Sequence, residues 1–242
     1  MKRTLVYGVL VSILTLLSGC ASRAPQHSSA MEKSALGTAW GDEVYSPVKS
    51  VEAQRKYSEP SDVTIIRYSA DSYRHQDYVY SMRKGDIEFA VRDASFRSMP
   101  IFRQRDNYSG SVQYVIKGTP GQRYQLYFRN FSSWKNYEVV ATVDGLDVLN
   151  GKPGSVNNNG YILNAGESLA IKGFRTSKQA EASFEFSAVG DSYVANSQHG
   201  DVNNVGTIGF AVFELRGKTL PPCEGQAFPA DNSGYAQPPC QR

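Results

Sequence analysis

The chain has 242 residues, with 26 Lys+Arg against 23 Asp+Glu for a formal charge of +3, and 12 % aromatic residues. That length supports one or two domains able to bury a core without metals or many disulfides, and the aromatic content excludes wholesale disorder. So small a positive excess, with no basic stripe, excludes a nucleic-acid partner, and a lone long apolar run at the N-terminus excludes a polytopic membrane protein.

Lys2 and Arg3 precede an apolar run from Leu5 to Leu17, which ends in Ser18, Gly19 and Cys20. A positive start, an apolar stretch too short to span a bilayer and small residues at its end form the pattern of an export signal over residues 1–19. Leu17-Ser18-Gly19-Cys20 resembles the lipobox of bacterial lipoproteins. The resemblance implies cleavage before Cys20 and acylation of its sulfur and new amino group, so that the chain sits on a membrane without crossing it. The other reading is an ordinary secreted protein with a free Cys20. Ala21 stands where lipoproteins retained at the inner membrane of two-membrane bacteria often carry Asp, which implies sorting to the outer membrane. Two of the three positive charges in formal excess belong to the leader.

Residues 20–35 contain ASRAPQHSSAMEKSA after the cysteine, a polar stretch without periodicity that reads as a tether. A flexible segment of that size reaches roughly 20 Å. Residues 36–216 read as one compact β-rich body, the other division being an N-terminal subregion 36–109 and a core 110–216. Near its start, Ser46-Pro47 is placed to open a short helix through Glu52 and Lys56, since Pro suits a first helical turn.

Strand patterns follow at Val63–Tyr68, Tyr78–Tyr80 and Ile87–Val91. Ser111–Lys117 and Arg123–Asn130 flank Gly118-Thr119-Pro120-Gly121, which predicts a hairpin. In the second arm Tyr124, Leu126 and Phe128 share one face, with Gln125, Tyr127 and Arg129 on the other. Further strands are read at Tyr137–Val143, Ser168–Phe174, Ala182–Ala188 and Val205–Leu215, where Gly206 and Gly209 mark a bulge or close packing. About nine short strands and few helices predict an all-β fold of antiparallel sheets, sandwich-like, with one short helix near the N-terminus. Tyr124–Leu215, with VATVDGLDVLNGKPGS and VGTIGFAVFEL, resembles a recurring β domain of bacterial secreted proteins that brings no assigned activity.

Residues 217–242 form a Pro-rich tail in which Cys223 and Cys240 each follow Pro-Pro. In an exported chain the two are expected to pair as a disulfide, contributing about 3 kcal/mol by restricting the unfolded chain. They are too few for zinc.

Gly190-Asp191-Ser192 resembles the nucleophile block of GDSL-type hydrolases, which implies a cell-envelope hydrolase using Ser192 as the alternative function. A serine nucleophile needs a base within hydrogen-bond reach, and His199 is preceded by Asn196 where that family has Asp. Asp191-Ser192 as a turn or helix cap is therefore preferred. His27, His75 and His199 show no metal-binding spacing. Asp144, Asp147 and Asn150 offer oxygen ligands for calcium, but at intervals of three rather than the alternate positions of an EF-hand, so no metal or other cofactor is assigned.

Between Arg83 and Arg105, basic residues interleave with Phe89, Phe96 and Phe102, and Arg97, Arg103 and Arg105 are candidates for an anionic partner. Trp40 and Trp134 lie in loop-like surroundings and are candidates for recognition by stacking. The sequence thus points to a non-catalytic binding or assembly module, anchored by lipid to the outer membrane and facing a protein or glycan partner.

Overall fold

The computed structural model describes residues 34–73, 76–105, 110–217 and 235–236. The signal, the tether up to residue 33, Cys20, His27, His75, Cys223 and Cys240 lie outside the described residues.

The body is all-β, with two sheets packed face to face. The first runs in the order β1 (Gly37–Tyr45), β16 (Ala180–Ser187), β10 (Arg123–Asn130), β7 (Ile87–Asp93) and β6 (Met82–Lys84). Two short strands, β14 (Ser168–Ile171) and β15 (Gly173–Arg175), extend it by pairing with β10 and β16. The second centres on β11 (Tyr137–Val143), β17 (Thr207–Arg216), β4 (Asp62–Ser69), β9 (Val112–Lys117) and β8 (Ile101–Arg105), and β5 (Tyr78–Val79) closes one side. Its other side continues through β13 (Tyr161–Leu163) and β18 (Tyr235–Ala236) to β2 (Ser50–Val51). Two further two-residue strands, β3 (Gln54–Arg55) and β12 (Leu146–Asp147), pair with β17 and β11.

The core follows from alternation. Tyr124, Leu126 and Phe128 face Ile208, Phe210 and Val212 of the other sheet, all at most 4 % exposed. Phe210 stacks on Phe89 at 4.5 Å and meets Phe128 edge-on at 5.3 Å, so rings from both sheets interlock at the centre. Each such buried side chain is worth about 2 kcal/mol against exposure. Two outward residues of β10, Gln125 and Tyr127, are covered as well. The Arg92 guanidinium lies 3.5 Å from the centre of the Tyr127 ring and 4.1 Å from that of Phe96, and Gln125 donates to the Asp93 carbonyl.

Three expectations need correction. No helix opens at Ser46-Pro47: the amides of Ser46 and Val48 donate to the carbonyls of Gln179 and Lys178, and the chain continues as β2 and β3. Arg55 holds that extended path by pairing with the fully buried Glu138 at 2.6 Å, a tie no exposed helix would supply. The predicted hairpin is instead a crossing between sheets, because β9 pairs with β4 and β8 whereas β10 pairs with β7, β14 and β16. Gly118 permits the crossing: a β-carbon there would meet the Phe186 ring at 2.8 Å. The sheets are mixed rather than purely antiparallel, since β4 and β9 run parallel, as do β13 and β18. Strands from 36–109 and 110–216 share both sheets, since β7 lies between β6 and β10, and β4 between β17 and β9.

Among the described residues the sheet margins are short or broken. β2 and β5 have two residues each and β6 has three. The strand at the other end of the first sheet, β1, slips register between Trp40 and Glu43.

Candidate functional site

The strands set two opposite ends. β4 and β17 run antiparallel, with Arg67 beside Thr207 and Asp62 beside Val212. The body begins at one end, where Ala35 bridges to Ser69 and the Ser34 carbonyl accepts from Ala70. The other end, where β17 finishes at Arg216, lies about 30 Å away along that ten-residue strand.

This far end holds an open cleft of about 560 Å³ between Lys56-Tyr57, the Trp134–Asn136 loop and the end of β17. Trp134 is 68 % exposed and Tyr57 63 %. Such exposure on a firmly held loop is unusual, and the loop is firm. The buried Asn130 side chain donates to the carbonyls of Lys135 (2.7 Å), Asn164 (3.0 Å) and Leu163 (3.3 Å) while accepting from the Ser132 amide. The Ser132 hydroxyl accepts from the amides of Lys135 and Trp134, and the Asn136 carbonyl accepts from Leu215. On the other wall, Arg55 fixes the backbone that presents Lys56 and Tyr57. Its guanidinium lies 3.7 Å from the centre of the Phe213 ring and donates to Glu138 and to the carbonyls of Val156 and Asn158.

Charges line the floor. Glu214 binds the Lys56 ammonium at 2.7 Å and the Lys135 ammonium at 3.7 Å, and Lys135 also reaches Asp86 at 3.6 Å. The hydrogen bond to Glu214 raises the Lys56 ammonium above the ordinary lysine value, so it stays charged at neutral pH. Tyr137 donates to Asp86, and burial together with that carboxylate pushes its hydroxyl well above the usual range. Lys135 lies 5.0 Å from the Trp134 ring and Lys56 lies 5.4 Å from Tyr57. Such a cleft offers flat apolar faces beside charged hydrogen-bonding groups, and Trp and Tyr rings serve where one side of a ligand is apolar and the other wet.

The other candidates fall elsewhere. Trp40 lies in β1 rather than a loop; it is 45 % exposed and packs against Phe174 and Tyr193 at 6.3 and 4.7 Å. Arg103 and Arg105 line a second groove of about 490 Å³ with Gln76, Gln104 and Gln113 at the β8 margin. Arg97 is instead paired with Asp93 inside its own turn at 2.9 Å.

Ser192 is fully buried; its hydroxyl donates to the Val189 carbonyl at 2.6 Å and accepts from Ala195, capping the short helix α1 (Tyr193–Asn196). Its proton is thus committed to a backbone carbonyl, while His199 is exposed. Asp147 is spent on its own turn, accepting from the amides of Leu149 and Asn150 and from the Asn158 side chain, and Asn150 accepts from Lys152.

Asp144, 1 % exposed, accepts from the Tyr68 hydroxyl at 2.6 Å and from the amides of Thr38, Gly206 and Thr207. Gly206 adopts a φ of +80°, which aims its amide at that carboxylate. The Thr38 hydroxyl joins those of Tyr68 and Tyr124 at 2.7 Å each, so one network ties both sheets at the end where the body begins. Burial pushes the Asp144 carboxyl up to about 6 against these donors. No group of three or more His, Cys, Asp or Glu among the described residues is placed to hold a metal.

Sequence reasoning found Trp134 but missed Tyr57, Lys56 and Glu214. One signal pointed to the last: Ile208, Phe210 and Val212 share a strand face with Glu214, and a charge ending an apolar series marks where a strand leaves the core. No known protein family, curated protein or solved structure matches this chain.

Proposed function

We propose that this chain is a non-catalytic binding module of the bacterial cell envelope, held on the outer membrane through an acylated Cys20, and that it takes a glycan in the Tyr57–Trp134 cleft. The observation that carries the reading is the pair of exposed rings on opposed, firmly held walls, with charged groups between them. A pyranose has apolar C–H faces and a rim of hydroxyls. The rings meet the first, and the Lys56, Lys135 and Glu214 groups meet the second through charge-assisted hydrogen bonds. Because the cleft lies at the end away from where the body begins, a tether attached there leaves it open to a ligand beyond the membrane surface.

The chain has two tryptophans, so a Trp40→Phe protein reports on Trp134 alone. Titration with envelope polysaccharides should shift and enhance its fluorescence, and in titration calorimetry, which needs no fluorophore, Trp134→Ala should weaken binding about 30-fold, in line with loss of a central aromatic anchor. Unchanged affinity in Trp134→Ala would sink the assignment of the cleft. The anchor is tested separately: Cys20→Ala should release the protein from the membrane fraction, and continued partitioning into detergent would overturn it.

A further inference from the structure

Resting on that reading, we infer that the glycan taken by the cleft is acidic, with a carboxylate seated on Arg216 and Lys135 while a sugar ring lies against Trp134. The chain is close to neutral overall, yet the lining of this cleft carries three cations against one carboxylate. Within the cleft, Lys56, Lys135 and Arg216 face the single carboxylate of Glu214, which both ammoniums share. Asp86 is divided in the same way, between the Lys135 ammonium and the Tyr137 hydroxyl.

Arg216 is exposed and uses one N–H on the Lys56 carbonyl at 3.2 Å. A guanidinium carries five N–H donors in a planar fork that matches a carboxylate, and among the described residues most of that fork stays available. The excess continues beyond the cleft. Phe131, on the same loop as Trp134, is 41 % exposed between the guanidiniums of Arg83 at 4.4 Å and Arg129 at 4.6 Å. Glu88, which lies between those two arginines in register, already accepts from the Ser81 hydroxyl. The neighbouring Lys84–Asp62 contact, at 4.0 Å, balances itself. A neutral sugar polymer would leave these cations as it found them. One with carboxylates at intervals would neutralise Arg216 and Lys135 first and then meet the arginines around Phe131.

The test uses the full chain and three acidic polysaccharides (polygalacturonate, hyaluronate and alginate), each beside its carboxyl-reduced neutral form. With Trp134 fluorescence as readout, at least one acidic form should bind ten-fold or more tightly than its reduced partner. The difference should shrink in Arg216→Gln and in Lys135→Gln, and on raising salt from about 0.05 to 0.5 M, since exposed charge pairs are screened. Equal binding of both forms, lost together when Trp134→Ala is titrated by calorimetry, would overturn the acidic assignment and leave the glycan reading standing. Binding of neither form in any pair would overturn both.

Discussion

The two ends of this sandwich treat polar groups in opposite ways. Where the body begins, Thr38, Tyr68, Tyr124 and Asp144 are at most 3 % exposed and bond to one another and to nearby amides across both sheets. Where β17 finishes, Lys56, Lys135 and Glu214 pair at the surface, and the Tyr57 and Trp134 rings beside those ammoniums are more than 60 % exposed. At the first end each hydroxyl or carboxylate has its partners and no room for a ligand. At the second, most of the aromatic surface faces outward, touched among the described residues by the neighbouring ammoniums. Polar groups that complete a core stabilise it, and those beside exposed rings are free to recognise something else.

Three measurements would break or sharpen that contrast. The largest effect is expected from Asp144→Ala, which leaves a buried tyrosine hydroxyl and buried amides without their acceptor. Loss of about 3 kcal/mol or more in chemical denaturation is expected, with affinity at the cleft unchanged in protein that remains folded. A loss under about 1 kcal/mol would show that the network is incidental. Next comes its titration. The Asp144 carboxyl is raised to about 6 when folded, against about 3.9 unfolded, so between those values the folded state binds the extra proton. Its contribution to stability is therefore greatest at acid pH and declines as pH rises through about 6. Wild type should gain about 1 kcal/mol relative to Asp144→Asn between pH 7 and pH 5, and parallel pH profiles would refute this. The smallest effect is at the other end: Trp134→Ala should change unfolding free energy by less than about 0.5 kcal/mol, as exposed positions do. A drop of 2 kcal/mol would mean that the ring is structural after all.

Much of the fold was legible because half-buried strands write themselves as alternation. Val63–Tyr68, Tyr137–Val143 and Val205–Leu215 become the adjacent strands β4, β11 and β17. β1 was not legible, since Gly41-Asp42 interrupts its pattern where the register slips. The Gly118–Gly121 turn shows the limit differently. Its residues announce a reversal, but which sheet receives the next strand depends on Ser69 and Phe186, distant in sequence, whose carbonyls accept from Gly118 and Gly121. The cleft was half legible for the same reason. A tryptophan in a polar loop stands out by itself, whereas Tyr57 gains meaning only when Arg55 is drawn to Glu138, 83 positions away.

The slip between Trp40 and Glu43 has a consequence for many copies together. An uninterrupted strand at a sheet margin is a template on which an identical neighbour can add a strand, and from there growth is open-ended. Here the nine-residue β1 is broken midway, and the other strands that end the two sheets, β2, β5 and β6, run only two or three residues. Copies brought into frequent collision meet ladders too short to propagate, so crowding should yield encounters without fibres.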